Sequence, residues 1–155
     1  MQLDPIIATP ERSDLEAEDL WFQLHLSFEL KGHYRFLYRN LIDLTHRIEV
    51  LHRAFRGLLK RERAAAAELI DGLERRGAMN IGGAQKNLVL DNLMLALNYW
   101  IPYAESFETR GLLDSGVQVR AIAGVLQMLI PYLREPEHTQ FEHLVDTYMS
   151  HLRKP

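Results

Sequence analysis

This 155-residue sequence predicts an all-α fold. Three features carry that expectation. A capping box opens the first regular segment, apolar residues then recur at helical spacing, and glycine and proline divide the pattern into about six pieces with no convincing strand. At ~100–200 residues per domain the chain is one domain. With 47% hydrophobic and 25% charged residues it reads as globular, which excludes wholesale disorder. It contains no cysteine, so a disulfide scaffold, a thiolate zinc site and a cysteine nucleophile are all excluded.

The first helix is announced by Ser13 with Glu16 three residues on, two side chains that can satisfy the free amides of a helix start. Leu20, Phe22, Leu24, Leu26, Phe28 and Leu30 then alternate with Trp21, Gln23, His25, Ser27 and Glu29, a strand-like period. The cap, the acidic first turn and the leucine and glutamate content outweigh that period, and the segment reads as a helix buried from two sides. Gly32 breaks it, and His33–His46 forms a short helix. A long helix follows from about Ile48, with Leu51, Phe55, Leu58, Leu59, Ala66, Leu69, Ile70 and Leu73 on one stripe. Gly77 suits the left-handed residue beyond its end. The next helix, about Ala84–Phe107, is apolar on nearly every side, and Pro102 must kink or end it. After a loop at Gly111–Gly116 comes a second all-round apolar helix, Val117–Leu133, disturbed by Pro131 in its last turn. Pro136 fits the first position of a final helix striped by Phe141, Leu144, Val145, Tyr148, Met149 and Leu152.

Asp91, Asn92 and Asn98 interrupt one apolar segment, and Gln118, Arg120 and Gln127 the other, whereas a membrane span needs ~20 apolar residues with few charges. Nor does Met1–Pro10 resemble a secretory signal, so the chain reads as soluble and cytoplasmic. Net charge is −3, but residues 31–63 carry nine bases against three acids, after seven acids and one base in residues 1–30. With no nucleic-acid motif beside it, the basic run reads as a solvated face paired with the acidic segment before it.

Few constellations suggest chemistry. Glu49 and His52 have the spacing of a di-iron bundle motif, but the second match, Glu135–His138, straddles Pro136. A metal-dependent helix-bundle enzyme is therefore an alternative, and a helical interaction module without a ligand is another. The seven histidines include no i, i+4 pair, and no catalytic triad or phosphate loop is present, so neither catalysis, metal nor cofactor is predicted. Asn92, Asn98 and Glu62 interrupt apolar stripes and each requires a partner, from a ligand or from the protein. The aromatic residues around them describe an apolar interior with few polar points, as small-molecule pockets do. Trp21, His25, Phe55, Glu62, Asn92, Tyr99 and Tyr103 are the residues expected to line such a pocket. The apolar faces of the last two helices, at Ile122, Leu126, Leu129, Ile130, Phe141, Leu144, Tyr148 and Leu152, are expected to pair with a second copy.

The run Gly32–Leu44 (GHYRFLYRNLIDL) resembles the regulatory domain of TetR-family transcriptional regulators, in which a short helix reads aromatic–Arg–Phe–x–x–Arg–(Asp/Asn)–Leu. The long Arg- and Ala-rich helix closing on LIDGLERRGAM and the tryptophan-bearing Leu88–Trp100 are similar to the elements that follow in that family. The likeness covers about residues 13 to 133. It implies a helical regulatory domain at residues 13–153 that binds a small effector and forms a homodimer. It also implies that residues 1–12 connect to a DNA-reading head lying outside this sequence. The family's function would then be ligand-responsive repression, with operator DNA contacted through the head alone.

Overall fold

In the computed structural model, residues 17–107 and 115–152 are described. They form seven α-helices: α1 Ala17–His33, α2 Arg35–Arg39, α3 Leu41–Arg47, α4 Glu49–Arg75, α5 Gly83–Glu105, α6 Ser115–Leu129 and α7 Glu137–Leu152. No strand occurs among the described residues; Met79 and Leu133 form one isolated antiparallel bridge. The Ser13–Glu16 cap lies outside the described residues.

The core is built around α6. Ala121, Ile122, Ala123, Val125, Leu126 and Leu129 are all buried, facing α1, α5 and α7 on different sides. Leu20, Leu24 and Phe28 of α1, Leu90 and Leu93 of α5, Ile70 and Leu73 of α4, and Phe141 of α7 complete one cluster. Burial against three neighbouring helices suits a helix apolar on most of its faces. A smaller cluster, Tyr38, Leu41 and Ile101 with Tyr34, Phe55 and Tyr99 against it, joins α2 and α3 to the end of α5.

Several elements differ from the sequence expectation. The short helix at 33–46 is two helices, divided at Asn40, whose side-chain amide donates to the Phe36 carbonyl. Helix α1 is helical despite its alternation, but it is buried on one face only: Leu20, Leu24, Phe28 and Lys31 point inward, while Phe22 and Leu26 are exposed. Residues spaced four, four and three apart share a helical face, which an alternating pattern cannot fill on both sides unless a second layer covers it. Gly116 lies inside α6 rather than in a loop, and Pro131 tightens the end of that helix into a 3-10 turn at Ile130–Tyr132. Pro102 sits within α5, which stops three residues later at Glu105. The final helix starts at Glu137, one residue beyond Pro136.

The long helix α4 ends on a left-handed glycine as expected. Gly77 has φ 73°, its N–H donates to the Glu74 carbonyl at 2.9 Å, and the Ala78 N–H reaches back to Leu73 at 2.9 Å. This is the paired-bond termination that a residue without Cβ permits. It turns the chain so that Ala78, Met79 and Ile81 enter the core, where the Ala78 carbonyl accepts from Arg134 and the Asn80 N–H donates to Tyr132. Gly77→Ala should therefore destabilise the protein by ~1–2 kcal/mol. Gly83→Ala, in α5 with open space around an added Cβ, should leave stability unchanged or slightly raised. Urea denaturation of the two variants makes the comparison, and equal midpoints would contradict it.

Candidate functional site

The polar centre of the molecule is a group of three buried side chains. Lys31 of α1 places Nζ 2.7 Å from Glu62 Oε1 of α4 and donates to Asn98 Oδ1 of α5 at 3.1 Å. Asn98 Nδ2 closes the triangle by donating to Glu62 Oε2 at 2.8 Å and also to the Met94 carbonyl at 3.1 Å. Lys31 is 4% exposed, Glu62 12% and Asn98 1%. Burial lowers the pKa of the Lys31 ammonium, and the charge and hydrogen bond of Glu62 oppose that shift. The ammonium also lies over the Tyr38 ring, 5.7 Å from its centroid. Burial and the nearby Glu62 carboxylate together raise the Tyr38 phenol above its ordinary range.

Tyr38 also lines a groove of about 610 Å³. The break between α2 and α3 supplies Arg39, Asn40, Leu41, Ile42, Asp43 and His46; α5 supplies Tyr99 and Pro102. This volume is within the range of small-molecule sites, and most of the lining groups are apolar or aromatic. Arg39 is 45% exposed and approaches Glu105 at 3.6 Å, while Asp43 is paired with Arg47 at 2.8 Å.

The residues expected to line a pocket are divided among separate places. Phe55 and Tyr99 pack on the Tyr38 cluster, Phe55 edge-on to the Tyr38 ring at 6.3 Å. Glu62 lies just behind that cluster in the buried triad. Trp21 and His25 instead meet Tyr148 of α7: the His25 ring nitrogen Nε2 and the Tyr148 hydroxyl share a hydrogen bond, and Trp21 stacks on Tyr148 at 6.1 Å. Burial lowers the His25 pKa, with Glu29 opposing, and raises that of Tyr148. Asn92 is exposed, and Tyr103 is an exposed member of a ring ladder with Trp100 and Phe107. The sequence pattern misses Lys31 and Tyr38. Lys31 falls three residues beyond Phe28 on the buried stripe of α1, and that position was its one legible signal.

The proposed pairing faces of the last helices also need correction. Ile122, Leu126, Leu129, Ile130 and Phe141 are buried inside this protomer's own core, so they present no surface to a second copy. Leu144 and Tyr148 pack partly buried against the same core, and Leu152 is half-buried. Among the described residues, members of the basic run pair with other acids: Arg47 with Asp43, Arg53 with Glu49 at 3.0 Å, and Arg63 with Asp91 at 3.2 Å. Glu49 and His52, the candidate metal pair, are both exposed on α4.

The model of the TetR family of bacterial transcriptional repressors matches residues 1–141. The chain belongs to the TetR family. A crystal structure of a TetR-family transcriptional regulator from Marinobacter aquaeolei VT8 has the same fold at a TM-score of 0.80, with 22% identity over 92% of this chain and 68% of that one. No curated protein matches the chain. As a TetR-family transcriptional regulator it is not an enzyme. No helix among the described residues is long and apolar enough to cross a membrane.

In this TetR-family chain the triad makes a sharp energetic demand. Lys31→Met leaves the Glu62 carboxylate buried without its counter-charge and should cost ~3–5 kcal/mol. The double variant Lys31→Met/Glu62→Met removes both charges and should recover most of that loss. Chemical denaturation of the two single variants and the double closes the cycle; additive losses would refute the coupling.

Proposed function

We propose that residues 13–153 are the regulatory domain of a TetR-family repressor. The domain binds a small, largely apolar effector and pairs with a second copy, while operator DNA is read by a head outside these residues, which residues 1–12 join. The observation that carries the reading is the 610 Å³ groove lined by Tyr38 and Tyr99, on a chain whose family regulates transcription. It supports an effector site smaller than the sequence suggested, retaining Tyr99 at the groove, with Phe55 packed on the Tyr38 ring and Glu62 in the neighbouring triad. Trp21, His25, Asn92 and Tyr103 stand apart from it. The place of action is the cytoplasm, where operator DNA is found.

The mechanism is a population shift. Two DNA-reading heads on a dimer engage both half-sites when they sit about one helical turn apart, ~34–36 Å. An effector that binds better to a dimer with misplaced heads withdraws the protein from DNA by that difference in affinity. The groove joins α2 and α3 to α5, and the Tyr38 ring links it to Lys31 on α1, so occupancy of the groove bears directly on the helix nearest the N-terminal segment.

Two measurements test this reading. A small, largely apolar effector found by thermal-shift screening should add ~2.7 kcal/mol of stability at roughly a hundred times its Kd. Tyr99→Ala should abolish the shift; a shift unaffected by Tyr99→Ala would place the ligand elsewhere.

For the dimer, the solvent side of α6 runs along Arg120, Gly124 and Gln127, and Met149 is exposed on α7. A Cβ added at Gly124 meets nothing within 4 Å. Gly124→Arg should therefore fold normally and convert a dimer of 18.0 kDa chains into monomers in light scattering. A wild-type monomer at micromolar concentration, or a dimeric variant, would defeat the pairing.

A further inference from the structure

We infer that the groove beneath the α2–α3 break recognises a small organic anion, an apolar body bearing one carboxylate, with Arg39 as the group that reads the charge. This inference rests on the effector reading above and narrows it to a ligand class. Tyr38, Leu41, Ile42, Tyr99 and Pro102 supply apolar walls, so affinity for the body of the ligand requires no charge. The charged and polar groups at the groove are unequally committed. Asp43 is taken up by Arg47 at 2.8 Å, the Asn40 amide donates to the Phe36 carbonyl at 3.0 Å, and His46 Nδ1 is bonded to the Ile42 carbonyl at 3.0 Å.

Arg39 is the exception. Its approach to Glu105, Nε to Oε2 at 3.6 Å, is an ion pair beyond hydrogen-bond distance. No hydrogen bond engages its two Nη groups among the described residues, and the side chain is 45% exposed where it borders the groove. Those two donors form the edge of the guanidinium that pairs with a carboxylate in a two-bond fork. An amine entering the same groove would meet Asp43 already paired with Arg47; Glu105, the ion-pair partner of Arg39, keeps a buried Oε1 without a hydrogen bond but does not line the groove. Thus the walls select for apolar bulk, and Arg39, the arginine that lines the groove, selects for an anion.

The test uses the whole chain and three matched probes: benzoate, benzamide and benzylamine, with phenylacetate as a longer acid. Binding is followed by calorimetry and thermal shift. The acids should bind at least about tenfold more tightly than the amide, the margin of one charge-assisted bond pair. Arg39→Gln should bring the acid down to the amide's affinity, and circular dichroism should show unchanged helix content because Arg39 is a surface side chain. Arg39→Lys, which keeps the charge but loses the fork, should fall between them. Benzylamine binding as well as benzoate, an acid affinity unchanged in Arg39→Gln, or no acid binding in the millimolar range would each overturn the anion class. A Tyr99-dependent response to neutral probes without charge preference would also overturn it, while leaving the effector groove itself in place.

Discussion

The constraint on which the other elements depend is the burial of α6. Ala121, Ile122, Ala123, Val125, Leu126 and Leu129 lie on several sides of one helix, and all are buried. A helix of that composition is stable in water only when neighbours close around it, so α1, α5 and α7 are each required to present an apolar stripe to it. Those three helices then have only their outer surfaces free. This arrangement explains why apolar residues that looked available for a partner are already used inside the protomer.

Once α1 is drawn onto α6 by Leu20, Leu24 and Phe28, the next position on the same stripe is Lys31, which is carried into the interior with its charge. An isolated ammonium there would be costly, and the site is tolerated because Glu62 and Asn98 arrive from α4 and α5 with matching acceptors. Three helices distant in sequence are thereby fixed in relative register by directional bonds, where apolar contacts alone would permit sliding. The Lys31 ammonium lies over the Tyr38 ring, and Tyr38 also lines the groove. The polar lock of the fold and the candidate ligand site thus share a wall. A ligand that moved Tyr38 would act on α1 through a buried ion pair, whose energy depends steeply on geometry.

The sequence by itself determined the all-α class and the ends of the long helices, because these rest on local rules. Gly77 was legible as a terminator since only a residue without Cβ adopts its φ of 73° without strain. Pro131 was legible as a disturbance because proline cannot continue the hydrogen-bond ladder. The run from Gly32 to Leu44 was likewise sufficient to suggest the family. Tertiary structure alone decided which of several apolar faces turned inward. The alternating residues of α1 gave two candidate faces; packing against α6 buried Leu20, Leu24 and Phe28 and left Phe22 and Leu26 in solvent. On α5 the same choice buried Asn98 and exposed Asn92, although both interrupt the same apolar run. Rotation of a helix about its axis is set by contacts with residues far away in the chain. For the same reason Lys31, counted in the sequence as one more base of a charged run, became the central polar group of the fold.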